Sequence, residues 1–494
     1  MNEASPIPIC ENAAETQPVP QTPPPRAPGS GLDGARGDLT QGPILRTLLM
    51  FSIPMLISSV LQTLNGSINA IWVGRLLGES ALSATANANI IMFMLIALVI
   101  GFGTATTVRV GQFFGARDIP AARANFGTGI GFCIILGLIT AVVGWIFTAD
   151  ILAALGTPET SAELALAYLQ VVFITIPFGV VSMMVSMGMR GAGDSKTPLY
   201  AMILTAAVDV VANPVLIMGL GPLPEMGIAG SALATAVANL AGLVFQLWRI
   251  YAQDLPLRLR GAELRYLIPQ GEALRYIVTK GIPMGAQMLL VSSAGLVMIG
   301  LVNREGLNAS AAYGASLQLW NYLQMPAFAL STAVSAMVAQ ALGAGNHQRV
   351  GDVTRIGLIA TLTMSAVLAV LIVLADHPLL ALFLGYGSPA LPIAEHMQLI
   401  CTGSFVIMCV SMILSGTMRA YGAVIAPMVI MFVALYPARL GFYFIAYPHI
   451  GSEAVWWAYP AGSVVAAGLT VFYYRSGKWR RPDAFVPEAG APAS

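Results

Sequence analysis

Asp209 is a carboxylic acid in the middle of a long apolar run, residues 199–218. Asn213 lies four residues on and Thr205 four residues back, so a helix brings all three side chains to one face. At the centre of a bilayer an acid costs about 2.5–3.5 kcal/mol on insertion scales, and it is by default a candidate site for a proton or another cation. Two further apolar runs carry stripes of neutral polar groups at the same spacing. One holds Gln62, Asn65 and Asn69, the other Ser231, Thr235 and Asn239. Such groups also tie transmembrane helices together, for about 0.6 kcal/mol each. That structural role accounts for Ser231 or Asn239. It accounts poorly for Asp209, because a carboxyl in apolar surroundings needs a partner or stays protonated. The candidate cation-coupling set is therefore Asp209, Asn213, Asn69, Thr235 and Asn65.

A second charge, Arg439, lies inside another apolar run, too deep to reach water along its own side chain. Two readings stand side by side. Arg439 forms an ion pair with Asp209 across a cavity in one state and loses it in another, or it is bound to backbone carbonyls of its own half. Methionines and aromatics are plentiful in the same runs. Flexible thioethers suit promiscuous binding and aromatic faces hold organic cations, so Met183, Met187, Trp320, Tyr322 and Met325, together with Arg439, are candidate substrate-cavity residues.

The elements that must position these groups follow from composition. Apolar residues make up 57% of the 494 and charged residues 10%, against roughly 45–50% and about 25% in soluble domains. With a mean hydropathy of +0.76, this is the composition of a polytopic membrane protein. Residues 1–42 are a Pro-, Gly- and Ala-rich tail, expected to be disordered and cytoplasmic, and they contain no apolar stretch of the signal-peptide kind. Twelve apolar segments follow, six over 43–250 and six over 274–475, separated by a charged cytoplasmic linker at 251–273; residues 476–494 form a second polar cytoplasmic tail. With the N-terminus inside, all 24 Lys and Arg except Arg75, Arg304 and Arg439 fall on the inner side. That asymmetry sets both termini in the cytoplasm. Cys133, Cys401 and Cys409 sit in apolar runs and read as small packing residues.

The two halves repeat each other. Ile53-Pro54-Met55 matches Ile282-Pro283-Met284, 229 residues on; Gln112-x-x-Gly115-Ala116 matches Gln340-x-x-Gly343-Ala344, 228 on. Met189-Arg190-x-x-Gly193 with Pro198 matches Met418-Arg419-x-x-Gly422 with Pro427, again 229 on. Six spans is an even number, so the halves share one orientation and are related by an axis along the membrane normal. The expected fold is an all-α membrane protein with twelve transmembrane helices, arranged as two six-helix repeats facing a central cavity. Such a pair of lobes suits alternating access better than a single-file channel.

The string from Met189 to Pro198, Asp209 with Asn213-Pro214, Gly227-Ile228-Ala229-Gly230-Ser231-Ala232, the repeated Ile-Pro, and Trp72-Val73-Gly74 with Ala81-Leu82 together resemble the multidrug and toxic compound extrusion (MATE) family over about residues 43–475. The likeness is closer to the DinF-like than to the NorM-like branch. It implies an antiporter of the plasma (cell inner) membrane that expels organic, often cationic, compounds in exchange for H⁺ or Na⁺. DinF-like members carry an acid where this chain has Asn69, and NorM-like members carry acids in the second half, whose apolar runs here have none. Coupling then falls on a single first-half carboxylate, which suits H⁺ more readily than Na⁺. The alternative is a lipid-linked oligosaccharide or lipid flippase of related fold, which would need several cavity cations where only Arg439 qualifies. No nucleotide-binding loop, nucleophile–base pair or metal-ligand spacing points to an enzyme. The expectation is a monomer without cofactor, metal or nucleic-acid partner, meeting small organic substrates and the lipid bilayer.

Overall fold

The computed structural model describes residues 37–154, 159–219 and 224–480. The expected tails lie outside the described residues up to 36 and from 481 onward. Among the described residues, twelve helices are long and apolar enough to cross a membrane, the shortest with 23 residues where a bilayer core needs roughly 20. They are α1 (Ile44–Leu77), α2 (Glu79–Gly115), α3 (Ile119–Ile146), α4 (Glu159–Gly191), α5 (Lys196–Met218) and α6 (Gly227–Ala252) in the first lobe. The second holds α7 (Gly271–Arg304), α8 (Leu307–Gly343), α9 (His347–Leu374), α10 (Leu391–Ala420), α11 (Ile425–Ile450) and α12 (Glu453–Arg475). The chain is an all-helical, multi-pass membrane protein, and the count of twelve matches the sequence expectation.

Local chemistry explains the repeated boundaries. The Asp118 side chain accepts from the Ala121 N–H at the start of α3, and Asn346 accepts from the Arg349 N–H at the start of α9, both at 3.0 Å. Each satisfies an N–H that the first helical turn leaves without a partner. At the α4–α5 corner, Gly193 takes φ +82° and its repeat mate Gly422 φ +72°, a left-handed turn that glycine adopts without steric penalty. Asp194 then accepts from the Lys196 and Thr197 N–H groups at 3.0 Å, which assigns that acid to capping.

The linker is shorter than expected, because α6 runs to Ala252 and α7 starts at Gly271. Part of it, Gly261–Leu267, is a 3₁₀ helix that lies on α3. A Cβ added at Gly131 would stand 1.7 Å from the Leu267 carbonyl oxygen, so only glycine permits this approach. Arg123 of α3 donates to Glu263 Oε1 at 2.9 Å and to the Pro256 carbonyl at 2.7 Å. Burial pushes the Glu263 carboxyl up, but the Arg123 guanidinium and the Arg260 N–H outweigh it and hold the group below the usual carboxylate range.

The lobes meet at the end that carries the basic residues. There α2 packs on α7 and α8 through backbone. Added Cβ atoms at Gly101, Gly115 and Gly343 would stand 2.4, 2.0 and 1.8 Å from the carbonyl oxygens of Gly281, Gln340 and Gln112. One apolar cluster crosses this seam, joining Leu48, Phe51 and Val108 to Val334, Met337 and Val338. Two glutamines lock it. Gln112 Nε2 donates to the Ala420 carbonyl at 2.8 Å, and Gln340 Nε2 donates to the Gly191 carbonyl at 2.9 Å. Both the donors and the acceptors are repeat mates, so each lobe reaches across to the last turn of the other lobe's fourth helix. The Leu39 N–H donates to Gln340 Oε1 at 2.9 Å, and Arg349 holds the Leu39 and Gln41 carbonyls at 3.0 Å. Towards the opposite end the clusters separate: Val73, Tyr168, Phe173 and Ile228 belong to the first lobe alone, and Met298, Trp320, Trp456 and Tyr459 to the second.

Span α11 is not one regular helix. Residues Ala434–Leu440 form a π-helical segment between α-helical arms Ile425–Val433 and Gly441–Ile450. Sequence patterning gave no sign of it.

Candidate functional site

Helices α1, α5 and α6 bring the predicted polar stripes together around Asp209. The helix bearing it runs on through Pro214, whose ring removes one backbone N–H. The Asn213 amide donates to the Asp209 carbonyl at 3.0 Å and to its Oδ1 at 3.2 Å. Asn65 Nδ2 of α1 donates to Asp209 Oδ2 at 2.9 Å, and Thr235 of α6 lies in electrostatic reach of the carboxylate. Beside them, Ser231 Oγ donates to Asn69 Oδ1 at 2.9 Å. Asp209 is 2% exposed and Asn213 fully buried.

The accounting of donors and acceptors is uneven. Asn65 Oδ1 and Asn213 Oδ1 are buried with no hydrogen-bond partner, although buried polar atoms are nearly always satisfied. Both unpartnered atoms are acceptors, and they belong to the two amides already bound to the carboxylate. The arrangement is a cradle of oxygens: one acid, two free amide carbonyls and a threonine hydroxyl. Oxygens of these types can accept a donated proton or ligate a hard cation.

Other stripe members point elsewhere. Thr205 packs towards α6, where a Cβ at Gly242 would meet its Oγ1 at 2.2 Å, and Asn239 faces Gly179 of α4. Sequence reasoning missed Tyr168 of α4, a buried residue in electrostatic reach of Asp209. A lone tyrosine in an apolar segment carries no signal of that kind. It also missed the bonds that the paired glutamines make across the seam, although their repeated motif was visible.

A family model described as MatE matches residues 54–215 and 283–445. The chain belongs to the MatE family. Among relatives of this MATE chain, the "Probable multidrug resistance protein YoeA" of Bacillus subtilis is 35% identical over 434 residues, covering 87% of this chain and 94% of that one. The "FAD transporter" of Shewanella oneidensis is 27% identical over 348 residues, covering 70% and 76%. Among solved structures, a mutant of the Vibrio cholerae MATE transporter VcmN superposes with a TM-score of 0.82 at 20% identity, over 90% and 99% of the two chains. The two matched repeats begin at Pro54 and Pro283, 229 residues apart, and end at 215 and 445, 230 apart. Arg439, inside the π-helical segment, lies within a residue of the second-lobe position that corresponds to Asp209.

The remaining predicted residues of this MATE chain spread over both lobes. Met187 packs beneath Gly103 and accepts from Thr107; Met183 and Met325 are half-buried and Tyr322 is 45% exposed. Trp320 is 1% exposed in the second-lobe core. Arg439 is buried with its guanidinium 4.3 Å from the Tyr459 ring centroid. Asp209 and Arg439 are not brought together, and no ion pair among the described residues includes either.

Proposed function

We propose that this protein is a secondary active exporter of organic, often cationic, compounds, driven by a cation that enters through Asp209. The observation that carries the reading is the buried carboxylate bound by Asn65 and Asn213, with Thr235 in electrostatic reach and two unpartnered amide oxygens beside it. An intramembrane acid of this kind is a cation site by default. Relatives named for multidrug resistance supply the substrate class. In this reading the basic end is cytoplasmic, the protein is a monomer of the cell inner membrane, and it stands nearer the DinF-like branch. The seam closed at the basic end then makes the structure outward-facing. Cation binding between α1, α5 and α6 draws those helices together, and substrate and cation compete for the same lobe geometry across the cycle.

One carboxylate favours H⁺ as the coupling ion. A second reading, Na⁺, is favoured by Asn65 Oδ1 and Asn213 Oδ1, since a bare cation prefers several neutral oxygens around one acid. Expression in a host without its own exporters tests both. Ethidium and fluoroquinolone efflux should appear, and should fail when the pH gradient (H⁺ reading) or the Na⁺ gradient (Na⁺ reading) is collapsed. No efflux, or efflux indifferent to both gradients, refutes the proposal.

A further inference from the structure

The interior of the second lobe has the opposite hydrogen-bond polarity to the cation cradle of the first. Three side chains there hold buried polar atoms without partners: Arg439 Nε, Gln398 Nε2 and Ser316 Oγ. Arg439 is 9% exposed, and Gln398 and Ser316 are fully buried. The orientation of the Gln398 amide is fixed. Trp320 Nε1 donates to its oxygen at 2.9 Å, and an indole N–H can only donate; Thr402 donates to the same oxygen at 2.6 Å. Its NH₂ therefore faces away, unpaired. Ser316 stands between Tyr313 and Trp320, on the same face of α8 at helical spacing.

The groups form one connected wall. The Arg439 guanidinium lies over Tyr459, Tyr459 and Tyr313 share a hydroxyl hydrogen bond at 2.5 Å, and Trp320 packs 5.5 Å from Tyr459. A pair of hydroxyls uses one of its two protons in that bond and leaves the other to donate. Tyr313, Tyr459 and Cys401 all lie in electrostatic reach of Arg439. Glu453, an acid in electrostatic reach of Cys401, is bound to His396 at 2.8 Å. A buried guanidinium without an acid is costly, and unpaired donors in low dielectric add to that cost. An occupant that offers acceptors and negative charge removes both. The π-helical segment aims Arg439 into this wall, and single π turns inside α-helices occur frequently at functional sites.

We propose that this wall is an anion subsite, which binds the carboxylate, sulfonate or phosphate of an organic substrate at the Arg439 guanidinium, with the buried donors of Gln398, Ser316 and the Tyr313–Tyr459 hydroxyl pair behind it. The inference rests on the exporter reading, and names a substrate class for it: organic compounds that carry an acidic group. Free chloride or inorganic phosphate shares the same chemistry, so the test separates the two sources.

Full-length protein in proteoliposomes is assayed with carboxyfluorescein as the anionic probe and ethidium as the cationic one. Wild type should move both. Arg439→Gln should lower carboxyfluorescein transport at least tenfold and change ethidium transport less than twofold, while Arg439→Lys keeps at least a third of the anion flux. Purified protein should be stabilised against heat by carboxyfluorescein but not by equal chloride or phosphate. Ethidium flux without any carboxyfluorescein flux in wild type overturns this inference and leaves the exporter reading standing; flux of neither defeats that reading first. Equal losses of both probes in Arg439→Gln, with no rescue by Arg439→Lys, make Arg439 a structural residue. Stabilisation by chloride or phosphate alone assigns the wall to a free anion. Should Arg439→Gln fail to reach the membrane, Gln398→Leu serves in its place, with a threefold or greater selective loss of anion flux expected and an unselective loss counting against the proposal.

Discussion

Replacing Gln112 and Gln340 together by leucine should open the seam at the basic end. Each glutamine makes one bond across the lobes, Gln112 to Ala420 O and Gln340 to Gly191 O. A net intramolecular hydrogen bond contributes about 0.5–1.5 kcal/mol. Leucine has similar bulk and no donor, so the pair of substitutions removes about 1–3 kcal/mol from the closed state. That corresponds to a roughly 5–150-fold shift towards the state open at this end. Each of these two bonds should be worth about 2–13-fold by the same conversion, and Gln340→Leu should have the larger effect because it also removes the acceptor of the Leu39 N–H. The assay is the rate of maleimide labelling of a cysteine at Ala339, a fully buried seam residue, in nanodiscs. All comparisons use that A339C background, so the labelling rate follows the open fraction. The double variant is compared with Gln340→Glu, which keeps the size and loses the donor, and which should open the seam as well. Unchanged labelling in the double variant, with the protein folded, would refute the reciprocal lock. A large effect of Gln340 beside none of Gln112 would assign the closure to the Leu39 segment instead.

Asp209→Asn should lower gradient-driven efflux at least tenfold while the protein remains in the membrane; full transport by that variant would sink the single-carboxylate mechanism. Asn65→Ala removes one donor to that carboxylate and one free oxygen, and should raise the cation concentration for half-maximal transport several-fold, read from efflux against pH or Na⁺. Gly115→Ala sets a Cβ 2.0 Å from the Gln340 carbonyl, an overpacking worth about 1–3 kcal/mol, so Ala339→Cys labelling should rise as it does without the glutamine. The Glu263 carboxyl is held below its ordinary value of about 4.3 by Arg123 and the Arg260 N–H. Its contribution is therefore present above that ordinary value and is lost as the pH falls through the lower native one. Glu263→Gln should speed protease cleavage of the 255–270 linker at pH 7, and the difference from wild type should vanish once the medium is acid enough to protonate the native carboxyl.

Much of this molecule is written locally. Twelve spans, their repeat and the corner at Gly193 and Gly422 follow from hydropathy, a fixed residue offset and glycine's freedom at positive φ, none of which needs a distant neighbour. The same holds for Asp209: its place in a long apolar run marks it before any partner is known. Which partner it takes is another matter. Asn65 and Thr235 meet it, whereas Thr205, on its own helix one turn away, turns towards Gly242, because contact depends on how each helix is rotated against its neighbours. Arg439 shows the limit most sharply. Sequence offered a pairing with Asp209 or a bond to backbone; among the described residues the guanidinium instead lies over the Tyr459 ring inside its own lobe. Residue order alone marks two repeated halves, with an acid deep in an apolar run of the first and a guanidinium deep in one of the second. That free acceptors collect around the acid and free donors around the guanidinium is set by packing, because an unsatisfied polar atom is a property of everything that surrounds it.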